Sequence, residues 1–256
     1  MTPVPPASPD CLAPVAVAIL AGGLGSRIRG VLGETPKLLA PLAGRPYWDH
    51  LLAWLGRYGA RRLVLLLGHR AEAITAHLAA HPLPPSWEVL YRVEPHPLGS
   101  AGAIRNACDL LGPGRVLVIN GDSFVGADLC AYLACHQASG ALCSLVCTRV
   151  PDMSRYGAVA LDGNQRILRF VEKDPHNHGP GYINAGLFLM EPALVERIRT
   201  TDGTSLERDY LATLPPGSLQ ALAGDFPFID FGTPESFTQA QEFFREFGTS
   251  QADLRR

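Results

Sequence analysis

Val15-Ala16-Val17-Ala18-Ile19-Leu20-Ala21-Gly22-Gly23-Leu24-Gly25-Ser26-Arg27 decides the reading of this chain. A short run of β-branched and aliphatic residues reads as a strand buried on both faces. Three glycines in four positions then leave backbone N–H groups free to approach an anion closely. A strand opening into a glycine turn is how an α/β sheet presents a phosphate cradle at the carboxyl end of a strand.

Outward from it, similar apolar runs recur at 62–67, 88–93 and 115–120, each followed by Gly or Pro and then a helix-like stretch. Residues 45–57 place Trp48, Leu51, Leu52 and Leu55 at helical spacing, and 70–79 and 99–111 are Ala-rich without internal proline. The alternation predicts a Rossmann-like, mostly parallel sheet flanked by helices. After a helix at 126–139 the pattern turns to strands at 142–149, 157–161, 167–172 and 182–190, read as a small mixed β extension that receives a second substrate. A helix at 234–247 closes a single domain over 14–248, between tails at 1–13 and 249–256.

Composition narrows the function. Lys plus Arg number 22 against 24 Asp plus Glu, a net charge of −2, whereas a protein that tracks a nucleic acid backbone needs surplus cations. No run of about 18 apolar residues spans a membrane. Residues 1–14 contain no Lys or Arg and do not read as a secretory signal. The six cysteines show neither zinc spacing nor the density of a disulfide scaffold, so a reduced, cytoplasmic setting is expected, with Cys143 and Cys147 as small core residues on one face of a strand.

The glycine turn fails two familiar tests. A dinucleotide fingerprint on Gly23 and Gly25 needs glycine where Ile28 stands and an acid after the second strand, where the chain reads Gly68-His69-Arg70. A phosphate loop on Gly25 and Gly30 needs Lys and Ser or Thr where Val31 and Leu32 stand. NAD chemistry is therefore disfavoured. What remains is a cradle beside Arg27 and, ten residues on, Pro36-Lys37, two cations suited to the charge of phosphoryl or nucleotidyl transfer.

Gly22-Gly23-Leu24-Gly25-Ser26-Arg27 followed by Pro36-Lys37 resembles the signature of the sugar-1-phosphate nucleotidylyltransferases. The resemblance continues, in the family's order, through Pro97–Ala103, Asn120-Gly121-Asp122, Tyr156-Gly157, Glu172-Lys173, Tyr182–Gly186 and Ile229–Glu235, covering about residues 15–245. It implies a nucleotide-diphospho-sugar transferase fold. By resemblance, Arg27 and Lys37 are catalytic, holding the triphosphate, and Asp122 and Asp230 bind Mg²⁺. Leu20, Ala21, Gly22, Gly23, Gly25, Ser26, Gly99 and Ser100 would line the nucleotide. Glu172 and Asn184 would take sugar hydroxyls, Gly157 would approach the sugar through its backbone, and Lys173 would reach the sugar phosphate.

The chemistry agrees with that reading. Both aspartates follow hydrophobic runs, at Val116–Asn120 and Phe228-Ile229, and Mg²⁺ favours a few carboxylates with water and phosphate oxygens. A sugar 1-phosphate, with a second pKa of about 6, is already mostly dianionic at neutral pH, so no general base is required and no histidine, His176 and His178 included, is assigned a role. Within the family the resemblance runs furthest toward D-glycero-α-D-manno-heptose 1-phosphate guanylyltransferases, through Tyr182–Gly186, Ser205–Tyr210 and Phe228–Gly232. Mannose, muramate and cyclitol 1-phosphate enzymes share much of the pattern. Guanine presents N–H donors, and Glu94 is the acceptor expected to read them. GTP and a sugar 1-phosphate are thus the expected substrates. A catalytically silent nucleotide-sugar-binding subunit is the reading from another class. The segment 28–35 departs from the family's usual Pro-Leu-Thr stretch, and the oligomeric state is not readable.

Overall fold

A computed structural model describes residues 10–171 and 178–253. Strand β1 (Ala16–Ala21) leads through one turn of helix, α1 (Arg29–Leu32), and a small hairpin of β2 (Pro41–Leu42) and β3 (Arg45–Pro46) into α2 (Tyr47–Gly56). The expected alternation follows, with β4 (Arg62–Leu67), α3 (Ala71–Ala80), β5 (Glu88–Val93), α4 (Gly99–Asn106), α5 (Cys108–Leu111) and β6 (Val116–Asn120). Then β7 (Ser123–Val125) and α6 (Leu129–Ser139) precede β8 (Cys143–Val150), β9 (Ala158–Leu161), β10 (Ile167–Val171) and β11 (Gly181–Met190). The last elements are α7 (Pro192–Thr200), a wide π-type turn at Leu206–Tyr210, β12 (Leu219–Gly224), β13 (Phe228–Asp230) and α8 (Pro234–Asp253).

Nine of the described strands form one mixed sheet, in which β5, β4, β1 and β6 run parallel, with β1 in the middle. Central β1 and β4 are almost wholly buried, which is why their sequences are continuous apolar runs. The extension hangs on β11. Its second half, Leu187–Met190, pairs antiparallel with β6, while upstream Ile183 faces Ala158 of β9. Strand β8 runs along the other side of β11, with its register broken between Asn184 and Phe188. A break of this kind re-aims side chains next to a site, and Gly186 within it takes φ +82°.

Two apolar cores cover the two faces of the sheet. One gathers Trp48, Trp54, Phe124 and Phe244 under α2, α6 and α8. The other gathers Ile104, Leu194, Ile198 and Tyr210 under α4, α7 and the wide turn. Cys143 and Cys147 lie buried in this second core, as their spacing on β8 predicts, and burial raises both thiol pKa values, that of Cys147 to about 12.

Four expectations need revision. Cys11 and Cys130 form a disulfide rather than remaining two of six thiols. They are 119 residues apart in sequence, and only the fold brings the entry segment onto the first turn of α6. Residues 10–13, assigned to a loose tail, are packed: Leu12 is buried, and its N–H donates to the Tyr58 carbonyl at 2.9 Å. The helix expected over 99–111 is interrupted at Ala107 (φ −119°, ψ 10°), giving α4 and α5. The helix placed at 234–247 extends to Asp253.

Candidate active site

At the carboxyl ends of β1, β4 and β6 the sheet opens into a cavity of about 400 Å³. Leu20, Ala21, Gly22, Gly23 and Gly25 line it, as do Lys37, Glu94, Gly99, Ser100 and Asp122, so most of the expected nucleotide-side residues share one space. Glu94 leaves the end of β5 and accepts the Leu98 N–H at 3.1 Å. Its other carboxylate oxygen lies against the glycine backbone, where a Cβ on Gly22 or Gly68 would meet it at 2.7 or 2.4 Å. The acid thus lies against the glycine cradle. Ser26 and Arg27 are exposed beyond the lining.

The charged centre lies where β6 ends. Lys37 Nζ and Asp122 Oδ2 form an ion pair at 2.8 Å. Strands β7 and β13 pair antiparallel, Ser123 opposite Asp230, and the Phe231 N–H donates to the Asp122 carbonyl at 3.3 Å, which brings the two acidic segments side by side. Asp230 Oδ1 accepts the Gly232 N–H at 2.6 Å. The point a Cβ on Gly232 would occupy is 3.0 Å from Asp230 Oδ1, 3.4 Å from Arg27 Nη2 and 3.8 Å from Lys37 Nζ. Arg27, Lys37 and Asp230 therefore converge on one spot, although they come from three separate segments.

Below this spot, buried Tyr47 donates its hydroxyl to the Ser123 carbonyl at 2.7 Å and stacks edge-on against Phe231 at 4.8 Å. Burial, with the charge of Asp122, raises the Tyr47 phenol far above its ordinary range, so it stays a neutral donor. Tyr156 packs on Phe228, and its phenol pKa is raised by burial first, with Arg155 lowering it and Asp230 raising it.

Two partly exposed carboxylates, Asp122 just before β7 and Asp230 at the end of the paired β13, suit a Mg²⁺ ion that keeps water and phosphate oxygens for its remaining positions. Among the described residues no group of three or more His, Cys, Asp and Glu forms a full protein cage.

Asn184, expected to take sugar hydroxyls, stands at the register break of β11. Its Oδ1 accepts the Gly186 N–H at 3.0 Å and its Nδ2 donates to the Glu207 carboxylate. The break abuts the donor side, since a Cβ on Gly186 would be 2.7 Å from Asn120 Nδ2. Gly157 is exposed just before β9, whose Ala158 pairs with Val171 of β10. Glu172, Lys173 and His176 lie outside the described residues. His178 is exposed, 3.4 Å from Asp152.

Sequence reasoning did not assign the contacts of Glu207, of Tyr47, or of Arg70 at the cavity wall. Arg70 adopts φ +61° and pairs with Glu34, which also pairs with Arg29 at 2.9 Å. An arginine directly after a buried strand, ending Gly68-His69-Arg70, was the available signal for this contact between α3 and the divergent segment 28–35.

The nucleotidyl transferase family model matches residues 16–246. The chain is 30% identical to a D-glycero-alpha-D-manno-heptose 1-phosphate guanylyltransferase of Aneurinibacillus thermoaerophilus, over 90% of this chain and 98% of that protein. It is 31% identical to a mannose-1-phosphate guanylyltransferase of Mycobacterium tuberculosis, over 88% of this chain and 63% of that longer protein. The crystal structure of HddC from Yersinia pseudotuberculosis complexed with GMP-PN is similar with a TM-score of 0.78 and 30% identity, covering 90% of this chain and 99% of that one.

Proposed function

The chain belongs to the nucleotidyl transferase family, and on that premise we propose that it transfers GMP from GTP to a sugar 1-phosphate, a manno-heptose 1-phosphate being the favoured acceptor. The observation that carries this reading is the convergence of Arg27, Lys37 and Asp230 beside Asp122 at the mouth of a glycine-lined cavity. The guanylyltransferases that resemble the chain support the choice of base and sugar.

A phosphate oxygen of the acceptor attacks the α-phosphorus of GTP, a new P–O bond forms, and the bond to the bridging oxygen breaks to release pyrophosphate. The acceptor arrives as a dianion, so no side chain need remove a proton. The difficulty is to hold two polyanions in line, which is a task for fixed cations and positioning. Arg27 and Lys37 neutralise the triphosphate oxygens as charge moves to the leaving group, the glycine turn holds phosphate by its N–H groups, and Glu94 accepts from the base. Asn184 and the backbone at Gly157 orient the sugar, together with Glu172 and Lys173. Asp122 and Asp230 would hold Mg²⁺, which when bound supplies Lewis-acid screening of the phosphate oxygens. No described helix is long and apolar enough to cross a membrane, and the nucleotide donor favours a cytoplasmic place of action.

Pyrophosphate release, screened over four nucleoside triphosphates against heptose, mannose, glucose and cyclitol 1-phosphates, tests the proposal. GTP with a manno-configured acceptor should lead. A different best pair reassigns the substrate. No release with any pair, despite binding of nucleotide-sugars, favours a silent regulatory subunit.

A further inference from the structure

The wide turn Leu206–Tyr210 is tied to both halves of the cleft. Toward the donor, Ser100 Oγ accepts the Leu206 N–H at 2.9 Å, and the Thr204 carbonyl accepts the Ala101 N–H at 2.9 Å. Residues 204–206 are thereby fixed to the first turn of α4, whose Gly99 and Ser100 line the nucleotide cavity. The turn is braced from within, because Asp209 accepts the N–H groups of Thr204 and Ser205 at 2.8 and 2.9 Å, and Ser205 Oγ accepts that of Arg208 at 3.2 Å.

Toward the acceptor, the same turn presents Glu207 to Asn184. The two hydrogen bonds of Asn184 fix its amide, carbonyl toward Gly186 and NH₂ toward Glu207. One oxygen of the half-buried Glu207 carboxylate is engaged in this way. For the other, no hydrogen bond or ion pair is found among the described residues. A carboxylate only accepts hydrogen bonds, and this second oxygen, open to solvent, is free to accept from a ligand. A polyhydroxylated ring supplies donors, whereas a phosphate would be repelled. An acceptor held there would turn its hydroxyls toward Glu207 and its phosphate away from that carboxylate.

We propose that Glu207 is a direct ligand of the acceptor's sugar hydroxyls and, with Asn184, selects which sugar 1-phosphate is used. This rests on the sugar 1-phosphate reading given above. Because Leu206, the residue before Glu207, donates its N–H to Ser100 Oγ, the sugar that Glu207 holds is placed relative to the bound nucleotide through one hydrogen bond and one peptide link.

Kinetics with Glu207→Ala and Glu207→Gln test it, alongside calorimetry with GDP and with the GDP-sugar product. A lost bond to a charged ligand group should raise the acceptor KM about tenfold or more in both variants, while the GTP KM moves less than about twofold. GDP-sugar binding should weaken in parallel and GDP binding should hold. Glu207→Gln keeps an acceptor oxygen for Asn184, so a residue that only positions Asn184 would leave this variant like wild type, and that result overturns the proposal. Unchanged acceptor KM in both variants overturns it as well. Wild-type protein inert toward every sugar 1-phosphate would instead sink the functional reading, and this inference with it.

Discussion

Lys37 and Asp122, 85 residues apart in the chain, meet at 2.8 Å, with Lys37 only 16% exposed and Asp122 43% exposed. The cation is held from below and the carboxylate faces the cleft. A surface-type pair of this kind contributes about 1 kcal/mol at most. The pair therefore adds little to the stability of the fold, and on the proposed reading it places charge where the reactants arrive.

Lys37→Ala and Arg27→Ala should each lower pyrophosphate release by at least about a hundredfold, the scale of losing one transition-state donor. Urea midpoints should shift by less than about 1 kcal/mol equivalent, since Lys37 loses one half-exposed pair and Arg27 is exposed. Activity retained in Arg27→Ala would remove it from the catalytic set.

Chelation of divalent ions should abolish turnover, and added Mg²⁺ should restore it. Asp122→Ala and Asp230→Ala should raise the Mg²⁺ concentration needed for half activity by at least about tenfold. Titration of the two variants beside wild type decides whether both acids are ligands.

Gly99→Ala should be among the most damaging changes outside the charged centre. Gly99 has φ +74°, and a Cβ there would lie 2.4 Å from the Thr204 carbonyl oxygen. About 1–3 kcal/mol of stability should be lost through strain alone, and the turn carrying Glu207 must move. Denaturant unfolding and the acceptor KM read the two effects separately.

His136 predicts the acid side of the stability curve. It is buried between Ser144 Oγ at 2.8 Å and Glu191 Oε1 at 3.0 Å, with Arg115 2.6 Å from the same carboxylate oxygen. Burial lowers its pKa below the ordinary 6.5, against an upward pull from Glu191, and burial lowers His50 likewise. The unfolded chain therefore binds protons first, so stability should fall as pH drops through 6.5 and level off below the folded pKa. Urea midpoints between about pH 7 and pH 5.5 should show this slope, and it should be shallower in His136→Gln.

Alkylation of the denatured, unreduced protein should modify four cysteines and leave Cys11 and Cys130 untouched. Under oxidising conditions Cys11→Ser should cost about 2–4 kcal/mol of stability. Six reactive thiols in protein isolated under non-reducing conditions would show that the pair is reduced where the protein is made.

The parts of this molecule that sequence could disclose are those whose cause is local. Strand β1, its glycine turn and Arg27 are contiguous, and the buried runs of β4 and β6 carry their own signal. Asp122 and Lys37 were legible as residue types, although their contact was not. What escaped depends on distant chain meeting distant chain. Three-residue strands such as β7 and β13 have no periodicity to detect. Cys130 finds a partner 119 residues away, and Glu207 owes its position to Ser100, on another element. The break at Ala107 involves neither glycine nor proline and leaves no mark in the pattern.

Strand β11 has a wider consequence. It joins the parallel sheet only from Leu187 onward, while its first half, with Asn184, pairs with β8 and β9 instead. On the proposed reading, specificity for the second reactant can be rewritten by exchanging residues on β9, β11 and the 204–210 turn, while the parallel strands that carry the glycine turn keep their foundations. One scaffold of this kind can found a whole series of enzymes that differ only in the carbohydrate they activate.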